Sequence, residues 1–310
     1  MNAAKILFAG TPDFALASLR ALVDAGHVPL AVLTQPDRPA GRGKKLTASP
    51  VKLYAAEKGI PVWQPATLKD RDMIEKISAL DPDIIIVAAY GLILPQAVLD
   101  IPRCGCLNVH ASLLPRWRGA APIQQAILNG DSETGICLME MEAGLDTGPV
   151  FARATIAIGE QDTAGELHDR LAAMGGKLLV DKLPGILSAS LAAEPQNDAE
   201  ATYAGKIQTQ DAEIDWTAEA EEIARKIRAY NPVPGAWFEF GDERIKCWKA
   251  TVLNDVEGPG GIILQAGKDG IDITCGRGAL RILEVQRPGR RRVSAGELAG
   301  QLSLAGRRLG

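Results

Sequence analysis

Three side chains in this 310-residue chain could perform acyl transfer together: Asn108, His110 and Asp146. Asn108 and His110 stand two residues apart in the short apolar run Leu107-Asn108-Val109-His110. On a β-strand such residues share a face, so the amide and the imidazole point the same way while Val109 points into packing. Attack on an acyl carbon creates a tetrahedral centre whose oxygen gains negative charge. Donors aimed at that oxygen lower the barrier, and losing one typically costs about 10²–10³ in rate. An asparagine amide donates without titrating, and an imidazole can donate or relay a proton near neutral pH. A carboxylate is then needed to raise the imidazole's basicity and to receive the proton lost by an attacking amine. Asp146 sits in the loop Gly144-Leu145-Asp146-Thr147-Gly148, whose glycines allow a close approach. Taken singly, each residue has an ordinary explanation: a strand-end histidine is more often structural, and an aspartate among glycines is usually a turn former. The other histidines read as a helix-end residue (His27) and a solvated or lightly packed helix residue (His168).

The elements that must position these groups follow from the pattern of the chain. Apolar runs at Lys5 to Gly10, Val28 to Thr34, Asp83 to Ala89 and Leu107 to His110 alternate with helical stretches at Phe14 to Ala25, Val51 to Lys58, Lys69 to Leu80 and Ala120 to Asn129. Such alternation predicts an α/β, Rossmann-like parallel sheet with helices on both faces, and continuous apolar runs suit strands buried on both sides. The strand carrying Asn108 and His110 then ends where open α/β sheets place ligands. Strands are expected at Gly135 to Met141 and Val150 to Ile158. A long helix is expected over Thr163 to Leu187, interrupted near Gly175-Gly176 and Pro184. Residues 189–206 lack periodicity and are rich in Ala, Glu, Pro, Gln, Asn and Asp, so they read as a linker. Beyond it, one helix and about five short strands with turn signals fit a small OB-like β-barrel. The expected organisation is a catalytic domain over 1–188, a linker over 189–206 and a second domain over 207–310.

Bulk properties narrow the class. Hydrophobic residues make up 46% of the chain, enough for a sizeable core. The net charge of −4 gives no global basic field, so a nucleic-acid contact must be local. Two local clusters exist: Arg38, Arg42, Lys44 and Lys45 within Pro36 to Leu46, and Arg287 with Arg290, Arg291 and Arg292. The five cysteines are odd in number and lack CxxC spacing, which suits free thiols in a reducing compartment and builds no metal site. The N-terminus lacks the apolar core of a secretory signal, and no apolar run has membrane-span length, so the expected location is the cytoplasm.

The stretch Asn108-Val109-His110 followed by Ser112-Leu113-Leu114-Pro115-Arg116-Trp117-Arg118-Gly119, with the later loop around Asp146, resembles the signature of folate-dependent formyltransferases. Nearly end to end, the chain is similar to the methionyl-tRNA formyltransferases. The resemblance implies that Asn108, His110 and Asp146 form the catalytic trio. It implies that 10-formyltetrahydrofolate is the donor and that Ser112, Leu113, Leu114 and Pro115 line its site. The pterin is expected beside the backbone of Ala88 to Leu94, which includes Tyr90, Gly91 and Leu92. Other formyltransferases share this signature, so two further features bear on the acceptor. The insertion Pro36 to Leu46 looks like the loop with which the tRNA enzyme grips the acceptor arm, and four cations on a Gly/Pro-rich loop can follow a phosphate backbone. The C-terminal part resembles the family's OB-like module through Tyr203 to Ile207 and Asn231 to Trp237, with Val233 where tryptophan is often found. The expected RNA contacts are Arg38, Arg42, Lys44, Lys45 and Lys206, with Arg290 to Arg292 as further phosphate contacts. Aromatics are only 5% of the chain, which favours phosphate contacts over base stacking. The implied acceptor is initiator methionyl-tRNA, and nothing demands more than a monomer. An amino-sugar or nucleotide formyltransferase, a dinucleotide-binding oxidoreductase and a non-catalytic RNA-binding protein remain as alternatives. The oxidoreductase lacks support because the turn Gly10-Thr11-Pro12-Asp13-Phe14 is not GxGxxG.

Overall fold

A computed structural model describes residues 4–40, 43, 45–254, 256–301 and 305–309. The chain opens with β1 (Ile6–Gly10), α1 (Asp13–Asp24) and β2 (Ala31–Leu33), then a small hairpin of β3 (Arg38–Ala40) and β4 (Lys45–Thr47). Next come α2 (Pro50–Glu57), β5 (Val62–Trp63), α3 (Arg71–Ala79), β6 (Ile84–Ala88), α4 (Gln96–Leu99) and β7 (Cys106–His110). After β8 (Arg118–Gly119) and α5 (Pro122–Leu128) follow β9 (Glu133–Glu140), β10 (Val150–Ala157) and α6 (Ala164–Leu187). Helix α2 is capped at its start: Ser49 Oγ accepts from the Lys52 amide at 3.1 Å, and proline occupies the first turn.

Seven strands form one sheet in the order β10-β9-β7-β6-β1-β2-β5. The five strands from β7 to β5 are parallel, and β9 joins antiparallel to β7, so the sheet is mixed rather than wholly parallel. Every residue of β1 and β6 is buried, as expected for strands covered on both faces. From the central β1 the chain winds outward to β2 and β5, then returns to β6 on the other side, so the winding reverses between β1 and β6. The carboxyl ends of neighbouring strands come level there, with Gly10 opposite Ala88 and Val87 opposite Asn108. That edge is where such sheets take ligands.

Helix α6 runs through Gly175-Gly176 and Pro184 without the expected interruption. The two glycines serve close packing: a Cβ at Gly175 would stand 2.9 Å from Val109 Cγ1, and one at Gly176 would stand 3.0 Å from Ala17 O. Val109 is 2% exposed, so the helix presses on the face of β7 opposite Asn108 and His110. The stretch expected as a featureless linker is also ordered. Glu194 bridges to Val150, Asp198–Glu200 form a short 3-10 turn, and β11 (Tyr203–Ala204) pairs with β8 in parallel.

The backbone clusters into two units. One comprises Met1–Pro122, Glu133–Ile156 and His168–Ala204; the other comprises Ile123–Ser132, Ala157–Leu167 and Gly205–Gly310. The second unit holds α7 (Ala220–Ala229), β12 (Trp237–Phe240), β13 (Glu243–Leu253), β14 (Ile263–Gly267), β15 (Gly270–Thr274), β16 (Ala279–Gln286), β17 (Arg292–Ser294) and α8 (Ala295–Ala299). Its antiparallel strands run β12-β13-β16-β15-β14, with β17 on β16, and register shifts in β13 bend the sheet into a half-barrel. Its core joins Ile223 and Ile227 of α7 to Ile245, Ile271, Ile273 and Leu280.

Candidate active site

β7 delivers Asn108 and His110 to the same face, with Asn108 half-buried and His110 only 6% exposed. Past β7 the chain folds back so that the Trp117 carbonyl lies 3.1 Å from His110 Nε2. A carbonyl oxygen can only accept, so the hydrogen-bond network assigns the proton to Nε2. The nitrogen left for chemistry is therefore Nδ1, which faces Asp146 Oδ2 at 3.7 Å. That separation is beyond a hydrogen bond but close enough for a proton arriving at Nδ1 to find an acceptor after a shift of under an ångström. Asp146 is itself fixed in place. Its side chain is 15% exposed, its Oδ2 accepts from the Gly119 amide at 2.8 Å, and its backbone has φ +52°, a region aspartate tolerates better than most residues. The structure thus brings His110 and Asp146 together and sets Asn108 on the same strand face.

The residues expected around the folate divide into those that shape the loops and those that remain available. Ser112 is fully buried and its hydroxyl donates to Arg116 O at 2.6 Å, which closes the turn after β7. Leu114 packs with Cys137, Met139 and Val150, and its amide donates to Cys137 Sγ at 3.3 Å. Leu113 and Pro115 are half-buried. On the neighbouring loop, Ala88 ends β6 and is buried, and the Tyr90 ring is buried in the core beside Leu94. The Tyr90 carbonyl accepts from Thr11 Oγ1 and Gln35 Nε2, both at 3.0 Å, which ties the loop after β6 to the loops after β1 and β2. The ring of Tyr90 is thus a packing group, while Gly91 is exposed and Leu92 half-buried at the turn itself.

Of the cations expected to meet RNA, Arg38 and Lys45 lie exposed on the β3–β4 hairpin, and Arg42 and Lys44 fall outside the described residues. The segment expected as a loop is therefore a two-stranded ribbon where it is described. At its base Asp37 pairs with Lys52 at 2.7 Å and accepts from Gln64 Nε2. Those two partners, with the hydrogen bonds outweighing the small desolvation, hold the Asp37 carboxyl below the usual range. In the second unit Lys206 is exposed. Arg292 lies 3.7 Å over the Trp248 ring, Arg244 lies 3.7 Å over Trp237, and Arg291 pairs with Glu297. The indoles are buried beneath guanidinium groups, so they offer cationic rather than stacking surface. Among the described residues no group of three or more His, Cys, Asp or Glu is gathered to hold a metal ion.

Sequence reasoning gave no role to Trp117, whose carbonyl orients His110, nor to Gln196, whose amide donates to the carbonyls of Asp146 at 2.8 Å and Gly148 at 2.7 Å. Nothing in the composition of residues 189–206 marks that glutamine.

Comparison with known proteins identifies the family. The family described as Formyl transferase matches residues 4–183, and Formyl transferase, C-terminal domain, matches residues 206–302. A methionyl-tRNA formyltransferase of Methylococcus capsulatus is 52% identical over 99% of this chain and 99% of its own length. One of Xanthomonas axonopodis pv. citri is 55% identical over 94% of this chain and 96% of its own. Among solved structures, WlaRD, a sugar 3N-formyl transferase, superposes with a TM-score of 0.66 at 19% identity, covering 94% of this chain and 100% of that one. HypX from Aquifex aeolicus in complex with tetrahydrofolic acid gives 0.65 at 17% identity over 97% of this chain, which spans 47% of HypX. Those structural likenesses establish the fold, and the sequence matches establish the lineage: the chain belongs to the formyltransferase family and, within it, to the methionyl-tRNA formyltransferases.

Proposed function

We propose that this protein transfers the formyl group of 10-formyltetrahydrofolate to the free α-amino group of initiator methionyl-tRNA, giving N-formylmethionyl-tRNA for translation initiation. The observation that carries the reading is the pairing of His110 Nδ1 with Asp146 Oδ2 at the carboxyl edge of the sheet, in a chain 52% identical end to end to a methionyl-tRNA formyltransferase.

The chemistry asked of these residues is specific. The amine nitrogen attacks the formyl carbon, a C–N bond forms, and the carbonyl oxygen becomes an oxyanion. Asn108 donates to that oxygen without a change of charge. His110 keeps Nε2 on the Trp117 carbonyl and uses Nδ1, as a donor when protonated and as the relay otherwise. Asp146 accepts the proton that the ammonium nitrogen sheds, by way of Nδ1 or a water. The bond from carbon to the folate N10 then breaks, and N10 takes up a proton. Leu113 and Pro115 offer the folate apolar surface, and the turn of Ala88 to Leu92 offers backbone groups to the pterin. Arg38, Arg42, Lys44, Lys45 and Lys206 meet phosphates of the acceptor arm. In this reading the protein works as a monomer in the cytoplasm, a compartment that suits its five free cysteines. No helix among the described residues is long and apolar enough to cross a membrane.

The test is transfer of labelled formyl from 10-formyltetrahydrofolate to charged tRNA. Formylation of initiator methionyl-tRNA well above elongator methionyl-tRNA is the expected result. Transfer to an amino-sugar nucleotide with none to charged tRNA would overturn the reading.

A further inference from the structure

We infer that Gln196, with the segment 194–204 around it, is a positioning element of the active site rather than part of a spacer between domains. The inference rests on the roles proposed above for His110 and Asp146.

Arg118 is 2% exposed, and a guanidinium removed from water must be met by acceptors. It finds them on residues 194–204: Nε and one terminal nitrogen donate to Gln196 Oε1 at 3.1 and 2.9 Å, and the same nitrogen donates to Asp198 Oδ1 at 2.7 Å. This fixes the orientation of the Gln196 amide. Its oxygen faces the guanidinium, so its nitrogen faces the carbonyls of Asp146 and Gly148. Glutamine suits the place because it is an acceptor on one side and a double donor on the other. A carboxylate would satisfy Arg118 but would turn a second oxygen toward two carbonyls.

The same segment holds the opposite side of the site. Thr202 Oγ1 accepts from the Trp117 amide at 2.9 Å, and Thr202 O accepts from the Arg118 amide at 2.9 Å. The Ala120 amide donates to Ala204 O at 2.8 Å, and a Cβ at Gly119 (φ +118°) would stand 2.5 Å from that oxygen. Gly119 is therefore required where the segment crosses it, and its amide is the one that holds Asp146 Oδ2. Residues 196–204 thus grip both the peptide whose carbonyl orients His110 and the loop that carries Asp146. Misplacing reacting groups by about an ångström can cost on the order of a hundredfold in rate. A segment fixing both ends of the 3.7 Å His110–Asp146 gap acts on turnover without touching substrate.

Two variants test this. Gln196→Met removes the amide altogether. Gln196→Glu keeps an acceptor for Arg118 and puts a carboxylate oxygen in place of the donors to Asp146 and Gly148, so it is the variant scored if Gln196→Met melts early. The expected result is a roughly ten- to hundredfold loss in kcat, with KM for both substrates within about threefold because uniform binding is untouched. The deciding measurement is a cycle with Asp146→Asn, followed by single-turnover formylation. Residues acting through one another are non-additive, so the Gln196 change should lower the residual rate of Asp146→Asn by less than about twofold. An equal fold loss in both backgrounds, or unchanged kcat in the single variant, would overturn the inference. Asp146→Asn turning over at the parental rate would instead remove the catalytic reading beneath it, an outcome visible before Gln196 is altered.

Discussion

At the residue level, the histidine says more in the structure than in the sequence. Spacing put Asn108 and His110 on one face, and the strand does the same. It could not tell which nitrogen works, because that is set by a carbonyl seven residues later, and the return of Trp117 onto His110 depends on tertiary packing. The cysteines are a simpler case in which the sequence reading suffices. All five are free thiols. Burial pushes the Cys106 thiol up to about 12, with Glu140 and Asp100 adding to the effect, and it pushes Cys137 and Cys275 up to about 11. Burial raises Cys247 as well. At pH 8 these groups hold less than about a thousandth of their population as thiolate, the reactive form. Alkylation of the native protein with iodoacetamide at that pH, followed by mass spectrometry, should therefore modify at most one site, the half-buried Cys104.

Among the elements, periodicity located most helices and strands of the first 140 residues, because buried strands and amphipathic helices carry strong local patterns. Some features of the chain escaped it for physical reasons. The β3–β4 hairpin is exposed along its described length, so no hydrophobic face announced it. Strand β11 is two residues long and exists because the turn at Arg118-Gly119 offers it a partner. The glycines of α6 read as breakers because helix propensity is local, whereas their use is to let the helix approach β7. Gly175→Ala tests this point. Propensity alone would make the change stabilising by about 1 kcal/mol. The 2.9 Å approach to Val109 Cγ1 predicts the opposite, a loss of roughly 1–3 kcal/mol from overpacking, measurable as a lowered midpoint in urea or heat.

For the whole molecule, a near-neutral chain of net −4 must meet a polyanion through local cation sets. Arg38 and Lys45 on the hairpin and Lys206 in the second unit are exposed and suited to that role. Replacing any one with alanine should weaken tRNA binding and reduce the slope of log affinity against log salt by about one for each phosphate no longer neutralised. Unchanged slopes in all three would remove them from the interface. The broad architecture, a sheet domain followed by a small barrel, was legible from alternation of elements and a change of pattern after residue 206. The attachment of residues 194–204 to the first unit was not, since side-chain hydrogen bonds between distant segments leave no periodic trace. The central claim is that an amide, an imidazole and a carboxylate act on one formyl carbon. The most direct test is single-turnover formyl transfer by Asn108→Ala and His110→Ala, with folate binding measured on the same samples. The account predicts near-parental folate affinity and rates reduced by about 10²–10³ or more in each. Rates close to the parental value in both would contradict it.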